Sequence, residues 1–209
     1  MLALLALLNV ESILKSGGLA LLAVIVFAES GMLVGFFLPG DSLLFIAGFL
    51  ASNAGGHKLP ALPWVILTCV VAAIVGDQIG YLIGRELGPR LFNRQNSRLL
   101  NPKNIDKTQA FFDHHGPKSI VLARFVPVVR AFVAVIAGAG RMKYRTFVTF
   151  NIVGGALWGI GLPVLGYFLG ERKWVKDNIE IVLILVVVLS LVPVAFELLR
   201  HRRNAARSA

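Results

Sequence analysis

Four ionisable residues lie in stretches that are otherwise apolar enough for a lipid bilayer, namely Glu29, Asp41, Arg124 and Arg130. Ionisable groups inside a membrane are costly and usually functional. The two arginines are six residues apart, on either side of Pro127. Each guanidinium offers a planar fork to phosphate oxygens and keeps its charge when partly desolvated. We therefore predict that Arg124 and Arg130 bind an anionic substrate, with Pro127 in a supporting role.

The two carboxylates indicate a second role beside this anion. Burial raises the pKa of a carboxyl group and a neighbouring arginine lowers it, so the arrival of an anion can change its protonation. We assign proton coupling to Glu29 and Asp41, and we read Pro39 and Gly40 as the break that brings Asp41 to the tip of a hairpin. The alternative is that these charges form structural ion pairs or lie at the membrane interface.

The composition of the chain indicates whether these charged residues lie in a soluble protein or in a membrane protein. Hydrophobic residues make up 56% of its 209 residues, charged residues only 15%, and the mean hydropathy is +0.76. These values are outside the range of ordinary soluble domains and predict an integral membrane protein. The net charge of +10 is then a signal of topology and of contact with anionic lipid, so no nucleic-acid partner is expected.

The elements that must position the charged residues are of two kinds. Three apolar runs, 64–84, 146–170 and 179–199, are each long enough to cross about 30 Å of hydrocarbon as a helix. Two other stretches, 18–52 and 119–140, are interrupted by proline and charge, and their second halves are too short to cross. We predict that both interrupted stretches form re-entrant hairpins.

The distribution of basic residues predicts the topology. Seven lysines and arginines lie in the loop 85–118 and four arginines in the tail 200–209, so both should be cytoplasmic. The number of crossings between them is consistent only if the stretch 119–140 returns to the side from which it enters. The whole chain, 1–209, is therefore predicted to be one membrane domain with a cytoplasmic C-terminus.

Two sequence patterns occur twice. "FLPGDSLLFIAG" at 37–48 is echoed by "FVPVVRAFVAVIAG" at 125–138, and "GYLIG" at 80–84 by "GYFLG" at 166–170. The predicted topology gives the two copies opposite orientations, and inverted repeats with broken helices are typical of transporters. The predicted fold is therefore an all-α integral membrane protein: an inverted repeat of a re-entrant helical hairpin plus a transmembrane helix, with an additional C-terminal transmembrane helix.

The segment "GDQIGYLIGRELG" at 76–88 combines a packing face with a polar face. Its glycines recur every four residues, a spacing typical of close helix packing. Asp77 and Tyr81 lie on the adjacent row, so they are predicted to support the site from the edge of the cavity. Arg85 and Glu86 follow at the end of the span, where charge is ordinary.

Three segments together, "ESGMLVGFFLPGDSLL", "GDQIGYLIGRELG" and "ARFVPVVRAFVAVIAGAGRM", resemble the bacterial DedA family, whose wider VTT-domain superfamily includes eukaryotic lipid scramblases. The resemblance covers roughly residues 18–170. It implies two facing re-entrant hairpins and movement of lipids across the bilayer, including undecaprenyl phosphate recycling that depends on the proton gradient. It also implies that Glu29, Asp41, Arg124 and Arg130 are the functional residues.

One departure from the family pattern is visible. The second motif often has a further proline before its Ala-Gly, whereas this chain has "AFVAVIAG" there. The second hairpin is therefore expected to bend less after Arg130.

These observations predict a flippase in the bacterial cytoplasmic (inner) membrane that moves a phosphate-bearing lipid with proton coupling. Undecaprenyl phosphate is the first candidate for the lipid, and a glycerophospholipid is the second. No cofactor or metal is expected, and a homo-oligomer is left open.

Two other transport functions are alternatives, an energy-independent scramblase and a small-oxyanion transporter. A lipid phosphatase would commonly need a histidine beside the arginines, but all four histidines lie in predicted loops or the tail. A non-transporting assembly factor would explain the glycine faces but not two buried arginines.

Overall fold

A computed structural model of the chain describes residues 2–31, 40–53, 55–56, 59–92, 116, 118–124 and 127–172, which form helices and the turns that flank them. The helices are α1 (Leu2–Gly31), α2 (Gly40–Leu50), α3 (Leu62–Phe92), α4 (Lys118–Ala123), α5 (Pro127–Ala139) and α6 (Tyr144–Gly170). The predicted all-α class is confirmed for this part of the chain. The third predicted span, 179–199, the tail 200–209 and Pro39 lie outside it.

Two of the helices are long and apolar enough to cross a membrane. They are Leu62–Leu87 within α3 and Tyr144–Gly170, which is α6, and they contain the predicted spans 64–84 and 146–170. On α3 an exposed row of large apolar side chains runs at a spacing of three or four residues: Leu67, Val71, Val75, Ile79 and Leu82. Exposure of such a row to water would be unfavourable, whereas contact with lipid chains is not. The row is therefore typical of a helix that faces lipid.

The ends of the long helices differ from the predicted span ends. α3 continues to Phe92, into the segment predicted as the basic loop 85–118. Hydropathy indicates where the apolar run ends, but it does not indicate where the helix ends. The helix continues beyond residue 84 because Arg85, Glu86 and Leu87 are all good helix formers. α1 begins at Leu2 and is kinked at Gly18, whose φ of 54° suits glycine. The predicted start of the first hairpin, residue 18, coincides with this kink.

The chain divides into two compact units. The first unit comprises Met1–Leu22, Pro39–Ile66 and Leu162–Ala209, and the second comprises Ala23–Leu38 and Leu67–Gly161. In the first unit α2 packs against the C-terminal part of α6. A Cβ atom at Gly48 would collide with the carbonyl oxygen of Pro163, and one at Gly166 with that of Phe45. Because these pairs run in opposite order, the two helices are antiparallel there.

The second unit contains the same kind of contact between α5 and α3. A Cβ atom at Gly138 would collide with the carbonyl oxygen of Tyr81, and one at Gly84 with that of Val135. The order of the pairs again makes the helices antiparallel. Helices α4 and α5 also pack together, and their small side chains surround the rings of Tyr81 and Phe147 in one buried cluster.

The second predicted hairpin, 119–140, corresponds to α4 and α5. The backbone N–H of Arg124 donates to the carbonyl of Val121 at 3.3 Å, which closes a tight turn at the end of α4. α5 then begins at Pro127. Proline is favoured at a first helical position because its missing N–H would have no intrahelical partner there. The break therefore leaves Arg124 just before the gap between the two helices.

Candidate functional site

The second unit brings together four charged side chains that are almost completely buried. Their exposed fractions are 2% for Glu29, 2% for Asp77, 1% for Arg124 and 5% for Arg130. They form two ion pairs, Arg124 with Asp77 and Arg130 with Glu29. Each arginine also lies within electrostatic reach of the other. Glu29, Arg124 and Arg130 were predicted as functional residues, and the fourth, Asp77, was predicted to support the site.

Arg124 is held by polar groups from two long helices. Its Nη2 atom donates to Oδ2 of Asp77 on α3 and to Oδ1 of Asn151 on α6. The amide of Asn151 is itself oriented, because its Nδ2 atom donates to the carbonyl of Ile74 at 3.2 Å. Arg124 thus joins the break after α4 to α3 and α6 through one nitrogen.

The other donor nitrogens of Arg124 lack a hydrogen-bond partner in the part of the chain that the structure describes. Its Nε and Nη1 atoms are buried and have no hydrogen-bond partner among the described residues, and neither has Oδ1 of Asp77. A buried donor without an acceptor costs about 1–3 kcal/mol, and more when it carries charge. An anion with several oxygens can accept from either of these nitrogens together with Nη2. This part of the site therefore has the chemistry of an oxyanion site.

Two adjacent glycines of α6 make room for the Arg124 side chain. A Cβ atom at Gly154 would lie 2.9 Å from Cδ and 3.3 Å from Nε of Arg124. A Cβ atom at Gly155 would lie 2.8 Å from Cγ1 of Ile74 and 3.6 Å from Nη2 of Arg124. The two glycines therefore form a slot that fixes the position of the guanidinium.

Arg130 lies one turn into α5 and contacts two other helices. Its Nη2 atom donates to Oε1 of Glu29 on α1. Its Cζ atom lies 4.7 Å from the ring centroid of Trp158 on α6, within the range of a cation–π interaction. Both partners are buried. The second arginine is therefore positioned by an acid on one side and an aromatic ring on the other.

Close packing of α1 on α3 brings Glu29 to the site. A Cβ atom at Gly76 would lie 2.7 Å from the carbonyl oxygen of Phe27 and 3.0 Å from Cβ of Ser30. A Cβ atom at Gly31 would meet the same glycine, at 2.7 Å from its carbonyl oxygen. The absence of side chains at both positions allows the two backbones to approach closely.

Tyr81, predicted as a supporting residue, is completely buried. Its hydroxyl donates to the carbonyl of Met142 at 2.5 Å, and its ring stacks on Phe147 with 4.6 Å between centroids. These contacts join α3 to the connection between α5 and α6. Tyr81 thus links these helices to one another, and its supporting role at the site stays a prediction.

Asp41 and Gly40 lie in the first unit, at the start of α2. Asp41 is half-buried, in the first turn of the helix, where a negative charge interacts favourably with the helix dipole. Its proton-coupling role stays a prediction. Pro127 begins α5, and Pro39 lies outside the described residues.

Asn151 and Trp158 contact the two arginines and were not predicted. A signal existed for Asn151, because an amide within an apolar span needs polar partners. Trp158 has no such signal, since its ring is ordinary in a membrane helix.

The comparisons with known proteins agree with this helical membrane architecture. The model of the VTT domain matches residues 38–168. The chain is also 45% identical over 190 residues to Protein DedA of Escherichia coli (strain K12), covering 91% of this chain and 86% of that protein. The chain belongs to the DedA family of VTT-domain membrane proteins. No solved structure gives a significant match.

Two further relatives of this DedA-family protein have names that state no function. It is 44% identical over 187 residues to an uncharacterized membrane protein of Mycobacterium leprae (strain TN), covering 89% of this chain and 82% of the relative. A second uncharacterized membrane protein, from Mycobacterium tuberculosis (strain CDC 1551 / Oshkosh), is 40% identical over 205 residues, 96% of this chain and 88% of that protein. The names support a membrane protein and specify no substrate.

Proposed function

We propose that this DedA-family protein is a flippase that moves a phosphate-bearing lipid across the bacterial cytoplasmic membrane with proton coupling. The single observation that carries the proposal is the state of Arg124, whose Nε and Nη1 atoms are buried donors without a partner among the described residues. A phosphate group can accept from two nitrogens on one edge of a guanidinium, here Nη2 with either Nε or Nη1. Undecaprenyl phosphate is the first candidate because of the family resemblance.

A second arginine near the first favours an anion of more than one charge. Arg130 is buried and fixed by Glu29 and Trp158. Two guanidinium groups within electrostatic reach of each other repel, and a dianionic phosphate monoester between them would relieve that repulsion. A headgroup with a single charge would do so less well. This favours a lipid with a terminal phosphate over a zwitterionic phospholipid.

Proton coupling follows from competition for the arginines. When a phosphate approaches Arg130, it competes with the carboxylate of Glu29 and disfavours its ionised form. Glu29 would then take up a proton as lipid binds and release it as lipid leaves. For Asp41 the same role rests on the sequence and the family resemblance.

We further propose the re-entrant hairpins, the inverted repeat and the cytoplasmic C-terminus as the topology of this transporter. The repeat is supported by the equivalent glycine contacts within the two units, where Gly48 and Gly138 each lie against a carbonyl of a long helix. The same motif places them at equivalent positions, in "IAG" at 46–48 and 136–138. Broken backbone at such depth is tolerated where it is buried in protein or lines a wet cavity.

The arginines provide the test, because lysine keeps the charge but loses the planar fork. Purified Arg124→Lys and Arg130→Lys proteins, reconstituted into vesicles, should lose most transport of undecaprenyl phosphate. Arg85→Lys is the matched control, since Arg85 is exposed. If lysine works as well as arginine at both buried positions, the proposed bidentate phosphate site is wrong. Release of inorganic phosphate from the lipid would favour a phosphatase instead.

A further inference from the structure

The ion pair between Arg124 and Asp77 is incomplete in a specific way. One guanidinium nitrogen, Nη2, contacts one carboxylate oxygen, Oδ2. The remaining oxygen of Asp77 and the remaining nitrogens of Arg124 have no hydrogen-bond partner among the described residues. An arginine and a carboxylate that serve only as a structural link commonly form two parallel hydrogen bonds. This pair forms one, although both side chains are buried.

The single bond leaves the guanidinium available on its other nitrogens. The Nε and Nη1 atoms lie on different edges of the guanidinium, and Nη2, which donates to Asp77 and Asn151, completes both edges. A phosphate that binds the edge used by Asp77 through two parallel hydrogen bonds must therefore take the hydrogen atom of Nη2 that Asp77 accepts. Two anions would then share one cation. Since like charges at such separation disfavour each other, the phosphate and Asp77 should compete for Arg124.

Arg124 has a second, uncharged anchor that this competition does not affect. Asn151 accepts from Nη2 and is itself fixed by the carbonyl of Ile74. The slot at Gly154 limits movement of the side chain on another side. The guanidinium can therefore stay in place while its anionic partner changes. Among the described residues, Arg130 is a second charged group near Asp77, and it pairs with Glu29.

We infer that Asp77 is the exchange partner of the phosphate at Arg124: the carboxylate occupies the guanidinium between transport events, yields it to the phosphate, and reclaims it when the lipid leaves. Asn151 is the positioning residue that holds Arg124 during the exchange. The inference rests on the proposed function and deepens it. It concerns an anionic phosphate group with at least three free oxygens, which a lipid headgroup or free phosphate could supply.

The test compares a variant that removes the carboxylate beside Arg124 with a variant that adds a second carboxylate there. Asp77→Asn removes the competing charge and keeps the shape, so it should bind undecaprenyl phosphate about tenfold more tightly. It should also flip the lipid about tenfold more slowly at saturation, because no anion reclaims Arg124. Asn151→Asp adds a second carboxylate and should weaken binding about tenfold. Affinity is measured by calorimetric titration of the full chain in detergent micelles, with inorganic phosphate as the second titrant to separate the two sources.

The matched control is Glu86→Gln, which neutralises an exposed acid on the same helix and should change neither quantity. A folded Asp77→Asn protein with unchanged or weaker affinity overturns the inference. If the Asp77→Asn protein does not fold, the Asn151→Asp protein provides the test, because it keeps the ion pair between Arg124 and Asp77. Unchanged affinity of the Asn151→Asp protein for phosphate would also overturn the inference. Failure of the wild type to bind either titrant refutes the proposed function instead, so the two failures are distinguishable.

Discussion

Replacing Gly154 by alanine should displace the side chain of Arg124 with little effect elsewhere. The new Cβ atom would lie 2.9 Å from Cδ of Arg124 and 3.3 Å from its Nε atom. Ordinary contact between carbon atoms is at about 3.5–4.0 Å, so the arginine must move by about 0.6–1.1 Å. The backbone offers no easier relief, because Cα of Val121 would lie only 3.3 Å from the same Cβ atom.

The size of the effect follows from the bonds that this movement strains. Arg124 donates to Asp77 and Asn151 through one nitrogen, and hydrogen bonds to charged groups contribute about 1.5–3 kcal/mol each. Alanine gains about 1 kcal/mol over glycine in a helix, which offsets part of the loss. Since misplacement of a positioned group by about 1 Å can lower a rate about a hundredfold, we expect transport to fall tenfold to a hundredfold while the protein stays folded.

The assay is flipping of undecaprenyl phosphate in proteoliposomes, together with thermal unfolding in detergent. Gly161→Ala is the matched control, because Gly161 lies on the same helix and a Cβ atom there would have nothing within 4 Å. The control should flip lipid normally and be as stable as the wild type or more so. If Gly154→Ala flips lipid as fast as Gly161→Ala, the position of Arg124 does not limit transport and the reasoning fails.

Three further predictions concern topology, the helix contacts and the second arginine. Cysteines introduced at Ser97, Met142 and Ser208 in a Cys69→Ser background should react with a membrane-impermeant thiol reagent only from the cytoplasmic side. Cysteines at Asn53 and Asn178 should react only from outside. Labelling of the Met142 position from outside would show that the second hairpin crosses the membrane. Gly138→Ala should lower the melting temperature in detergent, because its Cβ atom would meet the backbone of Tyr81, whereas unchanged stability would contradict so close an approach of α5 to α3. Trp158→Leu should weaken phosphate binding by removing a cation–π contact of about 0.5–2 kcal/mol, and unchanged affinity would show that this contact does not position Arg130.

The sequence predicts the spans and the second break well because each depends on local properties. Hydropathy locates 64–84 and 146–170, and the missing N–H of Pro127 places the start of α5. The spacing of glycines in 76–88 likewise indicates a packing face, which the structure places against α1 and α5.

The pairing of charges could not be predicted in the same way. Which acid meets which arginine depends on the rotation and depth of each helix, and these are decided by backbone contacts such as that between Gly76 and Phe27. Asp77 was therefore given a supporting role although it is the ion-pair partner of Arg124. Trp158 was missed because aromatic residues are common in membrane helices and only the fold places this ring beside Arg130.

The most direct test of the central claim is the rate at which the purified protein flips undecaprenyl phosphate in proteoliposomes, with and without an imposed pH gradient. The wild type should flip the lipid faster than protein-free vesicles, and the gradient should change that rate. Glu29→Gln and Asp41→Asn mimic the protonated acids, so both should bind lipid yet lose the response to the gradient. Loss of folding in these variants would instead indicate structural ion pairs. Absence of flipping by the folded wild type, or a normal gradient response in both folded variants, would contradict a proton-coupled flippase.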